Sequence, residues 1–448
     1  MSTGTLPPTR ALPQSSLLRL HDPATHGNSF SLDGFPAIKE GKDWKSRLVE
    51  FIQAKGALGM TTNQTLFRQL LETGVLDERL RAFKAQGRGV PEIYQTLYNE
   101  AATEAARIFA PVHAQRPWEG RVSQEASALI TELEPLVREV RRIAGAMKGV
   151  PAFTKVPNLR VGPQAVRLAA ATGEVSPNVT LVFSDRHYLD TAEGYVLGLK
   201  ELADKGGNLQ AIHSVNSLFV SRMDRVVDPM MAALRQAQGD RLDLLKGKVA
   251  VSHAKVVYRL FGAIFLGKPF SDPEGLYADA EGKAMLERVA QLRTQFGTLK
   301  ARGANPQRLL IASSGVKSDQ PYSPLLYVLP FLGPWSANTM PEGTFEALVR
   351  FTAGLPDEQA VALRTRNLMA EPLPEIPTDS PEWDKKLLQG GNTLTPDRVL
   401  RQARDLVLQP AGTSLRKIGD ELRDKGAQSF MADEQATLTA IQSKLQTL

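Results

Sequence analysis

A (β/α)8 barrel is predicted by three features of the chain: about eight short β-like runs, long amphipathic helical stretches between them, and polar residues closing several of the runs. Short apolar runs alternating with helix-period segments are the pattern of parallel strands joined by crossover helices. The 448 residues suffice for one large α/β domain of TIM-barrel type with additional helices and a C-terminal helical extension.

The strand runs, in order, are Asn28 to Asp33, Gly56 to Thr62, Gly120 to Ala126, Pro151 to Val156, Asn178 to Ser184, Ala211 to Val220, Arg308 to Ser314 and a weak eighth before Asn338. Helices are predicted over Gln64 to Glu72, Pro91 to Phe109, Ala128 to Met147, His187 to Lys205, Arg225 to Ala237 and Ala280 to Thr298, where apolar residues recur every three or four positions. Residues 1–27, with Pro, Ser and Thr but no such period, are expected to be a flexible segment ahead of a catalytic barrel over 28–354. The Pro-rich stretch Glu371 to Pro377 and the pair Gly390-Gly391 mark 355–396 as an insertion or linker. Helical patterns return at Thr395 to Leu408 and from Ser414 onward, so 397–448 are expected to be helices packing on the barrel.

Composition removes several kinds of chemistry. Without cysteine there is no thiol nucleophile, disulfide or zinc ribbon. The charge balance of +6 is not gathered into a Lys/Arg stripe, so no nucleic-acid partner is expected, only a mild attraction for small anions. The six histidines are scattered without metal-ligand spacing, and neither GxGxxG nor a Walker A pattern occurs, so neither a metal nor a cofactor is assigned. The longest apolar stretch, Leu325 to Trp335, contains two prolines and is too short to cross a bilayer, so no membrane partner and a cytoplasmic location are expected.

In such a barrel the loops after the strands converge on one mouth, which singles out the polar residues that close the runs. These are Asp33, Asn63, Glu125, Lys155, Asn178 with Thr180, Ser217 with Arg222, and Ser313. Lys155 lies between Val150-Pro151-Ala152-Phe153 and Val156-Pro157. Apolar surroundings would favour the neutral amine that attacks carbonyls, although a lysine whose head reaches out to water has the same sequence. Asp33 and Glu125 suit an acid and a base, and equally a helix cap or a surface charge. Thr180 shares a strand face with Asn178. Arg222 could hold a phosphate bidentately, and Ser313, Ser314, Gly315 and Lys317 form a second candidate anion site, where a salt-bridged arginine and an ordinary glycine turn are the plainer readings.

The sequence around these positions resembles the transaldolases, in their longer bacterial form. The resemblance is carried by Gly59-Met60-Thr61-Thr62-Asn63-Gln64-Thr65-Leu66-Phe67, Val122-Ser123-Gln124-Glu125, Thr154-Lys155-Val156-Pro157 and Asn178-Val179-Thr180-Leu181-Val182-Phe183-Ser184. It continues through Ser214 to Asp224, Gln307-Arg308, Ala312-Ser313-Ser314-Gly315-Val316-Lys317, Asn338-Thr339-Met340-Pro341 and the terminal Lys425 to Phe430. It implies phosphorylated sugar substrates and a Schiff base on Lys155 of the fourth strand, with Asp33 moving the proton of the hydroxyl whose departure breaks the C3–C4 bond. Glu125, through a water shared with Thr180, would assist carbinolamine dehydration. Asn63 and Asn178 would hold sugar hydroxyls or the enamine, Thr61 and Ser217 would line the donor site, and Arg222 with Ser313, and Lys317 as a further contributor, would take the phosphate.

Glu125 and Phe219 stand where the related fructose 6-phosphate aldolases carry Gln and Tyr, which favours transfer over simple aldol cleavage. Two departures from the family pattern are Gln64, where Pro usually follows Asn, and Asn158-Leu159-Arg160-Val161-Gly162 after the lysine. An aldolase or an enzyme of a modified sugar, and a sugar-phosphate-binding protein without turnover, are the competing readings.

Overall fold

The computed structural model describes residues 15–39 and 41–448. The chain starts with a 3-10 turn, Ser16–Arg19, and proceeds through β1 (Ser29–Asp33), α1 (Trp44–Gln53), β2 (Gly59–Thr61), α2 (Gln64–Glu72), α3 (Asp77–Ala85), α4 (Val90–Gln115) and β3 (Arg121–Glu125). Next come α5 (Leu133–Ala146), β4 (Ala152–Pro157), α6 (Gly162–Ala170), β5 (Pro177–Val182), α7 (Asp185–Asp204), β6 (Ser214–Phe219), α8 (Ser221–Gln238), α9 (Val249–Leu266), α10 (Ala280–Ala301), β7 (Gln307–Ala312) and β8 (Ala337–Met340). Five helices end the chain: α11 (Glu342–Ala353), α12 (Asp357–Thr365), α13 (Trp383–Gln389), α14 (Pro396–Ala403), which runs into a π-helical turn at Arg404–Leu408, and α15 (Leu415–Thr447).

The eight strands form a closed parallel barrel in sequence order, with β8 pairing back onto β1. Closure leaves no sheet edge, and right-handed crossovers put the helices outside. The register sets the chemistry side by side: Asp33 pairs with Thr61, Glu125 with Lys155, and Lys155 with Asn178. Because side chains alternate, Phe153, Val215, Leu310 and Ala337 share strand faces with Lys155, Ser217, Ala312 and Thr339, and they form a small separate apolar layer beneath them.

Differences from expectation have local causes. The flexible segment expected over residues 1–27 lies outside the described residues as far as residue 14, but from Ser15 the chain is packed, with Leu17 and Leu20 fully buried. The 355–396 stretch is no open linker. Trp383, Leu368, Leu373 and Leu387 are fully buried, and the buried Lys248 and Lys255 donate to the carbonyls of Ile376, Leu368 and Glu371. Its apolar residues follow no period because it wraps around α9 instead of presenting one helical face.

Helix α9 itself escapes a search for amphipathic period because it is apolar all round. By length and composition it could cross a membrane, yet in this fold it is almost wholly buried as a core helix. Nor are the histidines all scattered. His21, His26, His113 and His213 gather at the N-terminal end of the barrel, where Trp118 stacks on His26 at 4.6 Å and meets His213 edge-on at 4.8 Å. Among the described residues no cluster suited to a metal ion forms.

Candidate active site

A cavity of about 160 Å³ opens at the C-terminal ends of the strands. Asp33, Thr61, Asn63, Lys155, Thr180, Ser217, Phe219, Arg222, Ser313 and Lys317 line it, so ten of the twelve residues singled out in the sequence meet there. Glu125 reaches it only through Lys155, and Asn178 does not line it.

Lys155 is 4 % exposed, and its surroundings are not the apolar ones its flanking residues suggest. Its Nζ donates to Glu125 Oε2 at 2.9 Å and to the Thr62 carbonyl at 3.0 Å. The adjacent Val156 points the other way, because neighbouring residues of a strand face opposite sides, and Phe153, on the same face, belongs to the apolar layer beneath the lysine. Burial pushes the Glu125 carboxyl above its ordinary value, against the pull of the lysine.

Asp33 ends β1 and accepts a hydrogen bond from Thr61 Oγ1 at 2.7 Å, and Thr61 Oγ1 lies 2.8 Å from Thr339 Oγ1. Burial raises the Asp33 carboxyl too, with Lys155 the strongest opposing influence. Asn63 is the N-cap of α2, its side-chain oxygen taking the Leu66 N–H at 2.9 Å, and it faces the cavity as well. Thus the capping and site readings of this asparagine are compatible.

Thr180 is fully buried, and among the described residues its hydroxyl makes no hydrogen bond. It precedes Leu181, which holds φ at +61° where the β5–β6 register slips. A left-handed leucine costs about 1–3 kcal/mol and persists only where its surroundings enforce it. The kink falls at the strand end that carries Thr180. Ser313, at φ +54°, is a second such residue on the same rim.

Both polar atoms of the Asn178 side chain are engaged: Nδ2 donates to Ser123 Oγ at 2.9 Å and Oδ1 accepts from Ser217 Oγ at 2.7 Å. It does not line the cavity, and it braces Ser217, which does. Arg222 makes no ion pair or hydrogen bond among the described residues, and its guanidinium lies 5.3 Å from the Phe219 ring centroid. Burial, reinforced by Arg225, lowers its affinity for the proton. With the exposed Lys317 and with Ser313, whose hydroxyl is 3.1 Å from Ser221 Oγ, it makes an anion-attracting side to the cavity.

Gly315, named with the second candidate anion site, also lines the cavity, as do Ala312, Thr339, Pro341 and Phe430, which were not assigned there from the sequence. Phe430 comes from α15, more than 200 residues beyond Arg222, and no spacing rule could connect them. A model of the Transaldolase/Fructose-6-phosphate aldolase family matches residues 38–441. The chain belongs to this family.

Among the relatives of this transaldolase-family chain, Transaldolase 1 of Streptomyces avermitilis is 32 % identical over 303 residues, 67 % of this chain and 72 % of that protein. The transaldolase of Saccharopolyspora erythraea is 32 % identical over 302 residues, 67 % and 73 % of the two chains. That of Mycobacterium tuberculosis is 29 % identical over 309 residues, 67 % and 74 %. The protein is therefore an enzyme of transaldolase type. One departure from the family pattern finds a structural use: Gln64, at the start of α2, donates from Nε2 to the Ala126 carbonyl at 2.9 Å, which a proline could not do.

Proposed function

We propose that the protein transfers a dihydroxyacetone unit from sedoheptulose 7-phosphate to glyceraldehyde 3-phosphate, through a Schiff base on Lys155, giving erythrose 4-phosphate and fructose 6-phosphate. The observation that carries the reading is the buried Lys155 amine, 2.9 Å from a carboxylate, in a cavity it shares with Asp33 and the unpaired Arg222.

In this mechanism the amine adds to the ketose carbonyl, and Glu125 protonates the hydroxyl of the carbinolamine, which leaves as water. The Thr180 hydroxyl, without a partner among the described residues, holds that water. Asp33 then takes the proton from the sugar hydroxyl next to the scissile bond, the C3–C4 pair of electrons flows to the protonated imine, and the aldehyde departs. The remaining enamine attacks the incoming aldehyde by the reverse path, Asp33 returning the proton. Arg222, Ser313 and Lys317 hold the phosphate, and the Thr339–Thr61–Asp33 hydroxyl chain keeps the base aimed. All of this chemistry is carried by the protein's own side chains.

Incubation with fructose 6-phosphate and borohydride, followed by peptide mass analysis, is expected to place a reduced three-carbon unit on Lys155 and none on the Lys155→Ala protein. An active enzyme that traps nothing, or traps on another lysine, would overturn the mechanism. Release of free dihydroxyacetone at a rate matching transfer would instead identify an aldolase.

A further inference from the structure

Helix α15 crosses the barrel mouth. Its Arg416 pairs with Asp185 at 2.9 Å, Asp420 with His187 at 2.8 Å, and Asp433 with Arg68 at 3.4 Å, so it spans the segments that follow β5 and β2. Phe430 enters the cavity from this helix. One turn later stands Glu434, 3 % exposed, whose Oε1 accepts from Ser127 Oγ at 2.6 Å and whose Oε2 accepts from the Ala128 N–H at 2.7 Å.

Ser127 and Ala128 are the residues that continue the chain from Glu125 and Ala126. The same short segment is gripped on its other side by Gln64, at the Ala126 carbonyl. Asp420 and Asp433 on α15 face cations, whereas among the described residues no Lys, Arg or His pairs with Glu434. Holding the segment does not require a charge. A glutamine of the same shape could accept from the Ala128 N–H and donate to the Ser127 hydroxyl. Burial pushes the Glu434 carboxyl above its ordinary value, while the Ser127 hydroxyl and the Ala128 N–H, both donating to it, favour the carboxylate in return.

We propose that Glu434 is a positioning residue for the reaction at Lys155: it holds the segment that follows Glu125 and supplies an unpaired negative charge that biases the proton between Lys155 and Glu125 toward the carboxyl. This rests on the role of Glu125 proposed above. When the carbinolamine collapses, the C–O bond breaks with its electron pair on oxygen, the nitrogen lone pair forms the C=N bond, and the Glu125 proton goes to the departing oxygen, which leaves as water. That proton has to be on Glu125 beforehand.

The groups facing Glu125 are Lys155 on β4, Asp33 on β1, Arg222 at the start of α8, Tyr98 on α4 and Glu434 on α15; the two cations draw the proton away from it, and Asp33 and Glu434 hold it there. Glu434 itself faces Ser127, Ala128 and Glu139, the last already paired with Arg142 at 2.7 Å, and its charge is felt by Tyr94 and Tyr98 of α4. Because Phe430 and Glu434 share one helix, docking of α15 completes the cavity wall and sets the proton at the same time.

The test is the pH profile of kcat/KM and the rate of borohydride trapping with fructose 6-phosphate, in the full-length parent, Glu434→Gln, Glu434→Asp and Glu434→Ala. Removing the charge in Glu434→Gln is expected to move the alkaline limb about half a unit toward lower pH and slow trapping at pH 8 about threefold, with KM and melting temperature unchanged. Glu434→Asp is expected to restore the parent's limb, and Glu434→Ala, carried as a second charge-removing variant, to shift it as Gln does. Superimposable profiles for parent and Glu434→Gln would overturn the proposal, as would failure of both charge-removing variants to fold, which would leave Glu434 a purely structural clamp. A parent that is active but never trapped would refute the Schiff-base reading instead.

Discussion

Two buried ion pairs occupy opposite ends of the barrel. At the floor, Arg308 Nη1 meets Glu119 at 3.1 Å, both side chains no more than 5 % exposed, and Arg308 also reaches the carbonyls of His26 and Ser336 while Glu119 takes the Ser29 hydroxyl. At the mouth, Lys155 meets Glu125 at 2.9 Å under equal burial, but beside a cavity, a strained strand end and the unpartnered Thr180 hydroxyl. A guanidinium keeps its proton and serves as a multivalent tie, whereas an amine paired with a raised carboxyl can release it. Burial of opposite charges is therefore common to both ends, and a neighbouring cavity is what sets the mouth pair apart from the floor pair.

Separating the two pairs by mutation gives the largest expected effect first. Lys155→Met should cost about 10⁴-fold or more in transfer activity, while stability falls by less than about 2 kcal/mol because Glu125 can take up a proton when its partner is lost. Activity assays and urea unfolding on the same preparation check both halves. Arg308→Met should do the opposite, destabilising the fold by about 3–5 kcal/mol with kcat per folded molecule unchanged. A loss of kcat in this variant would mean that the floor and the mouth are coupled.

At the mouth itself, Arg222→Gln should raise KM for phosphorylated donors about 10- to 100-fold, the range of one or two charge-assisted hydrogen bonds, and leave trapping of unphosphorylated dihydroxyacetone intact. An equal loss with both donors would argue against a phosphate contact.

The smallest effect belongs to the floor. Burial, then the charge of Arg121, push His213 down to about 3. Its folded value is below the unfolded one, so its contribution is whole above about pH 6.5 and is lost as pH falls from there toward 3, by at most about 1.4 kcal/mol per unit. Unfolding free energies at pH 7 and pH 5 should therefore converge in His213→Gln, with the activity profile of the folded enzyme unchanged.

Much of this was legible along the chain. The eight strands stand close to where alternation and apolar runs put them, and Gln64–Glu72 matches its helix end to end because one apolar face on a short helix leaves a clean period. Helix α9 was missed for the opposite reason, being buried on every side, and the 355–396 stretch because it follows a curved surface. Strand-end position was enough to place Lys155, Asp33, Thr180 and Arg222 around one cavity. It could not show that Asn178 is bonded to Ser123 and Ser217, since alternation gives the face of a residue but not its partners on other strands.

By itself the sequence determined the class of fold and which polar residues would crown the strands, because period and strand-end position are local properties written in neighbouring residues. Tertiary structure alone decided that Lys155 would rest against Glu125 instead of apolar side chains, that Asn178 would brace Ser217, and that Phe430 and Glu434 would arrive from the last helix. Those are contacts between residues up to some 300 positions apart, and they exist only once barrel closure and the docking of α15 have brought the segments together.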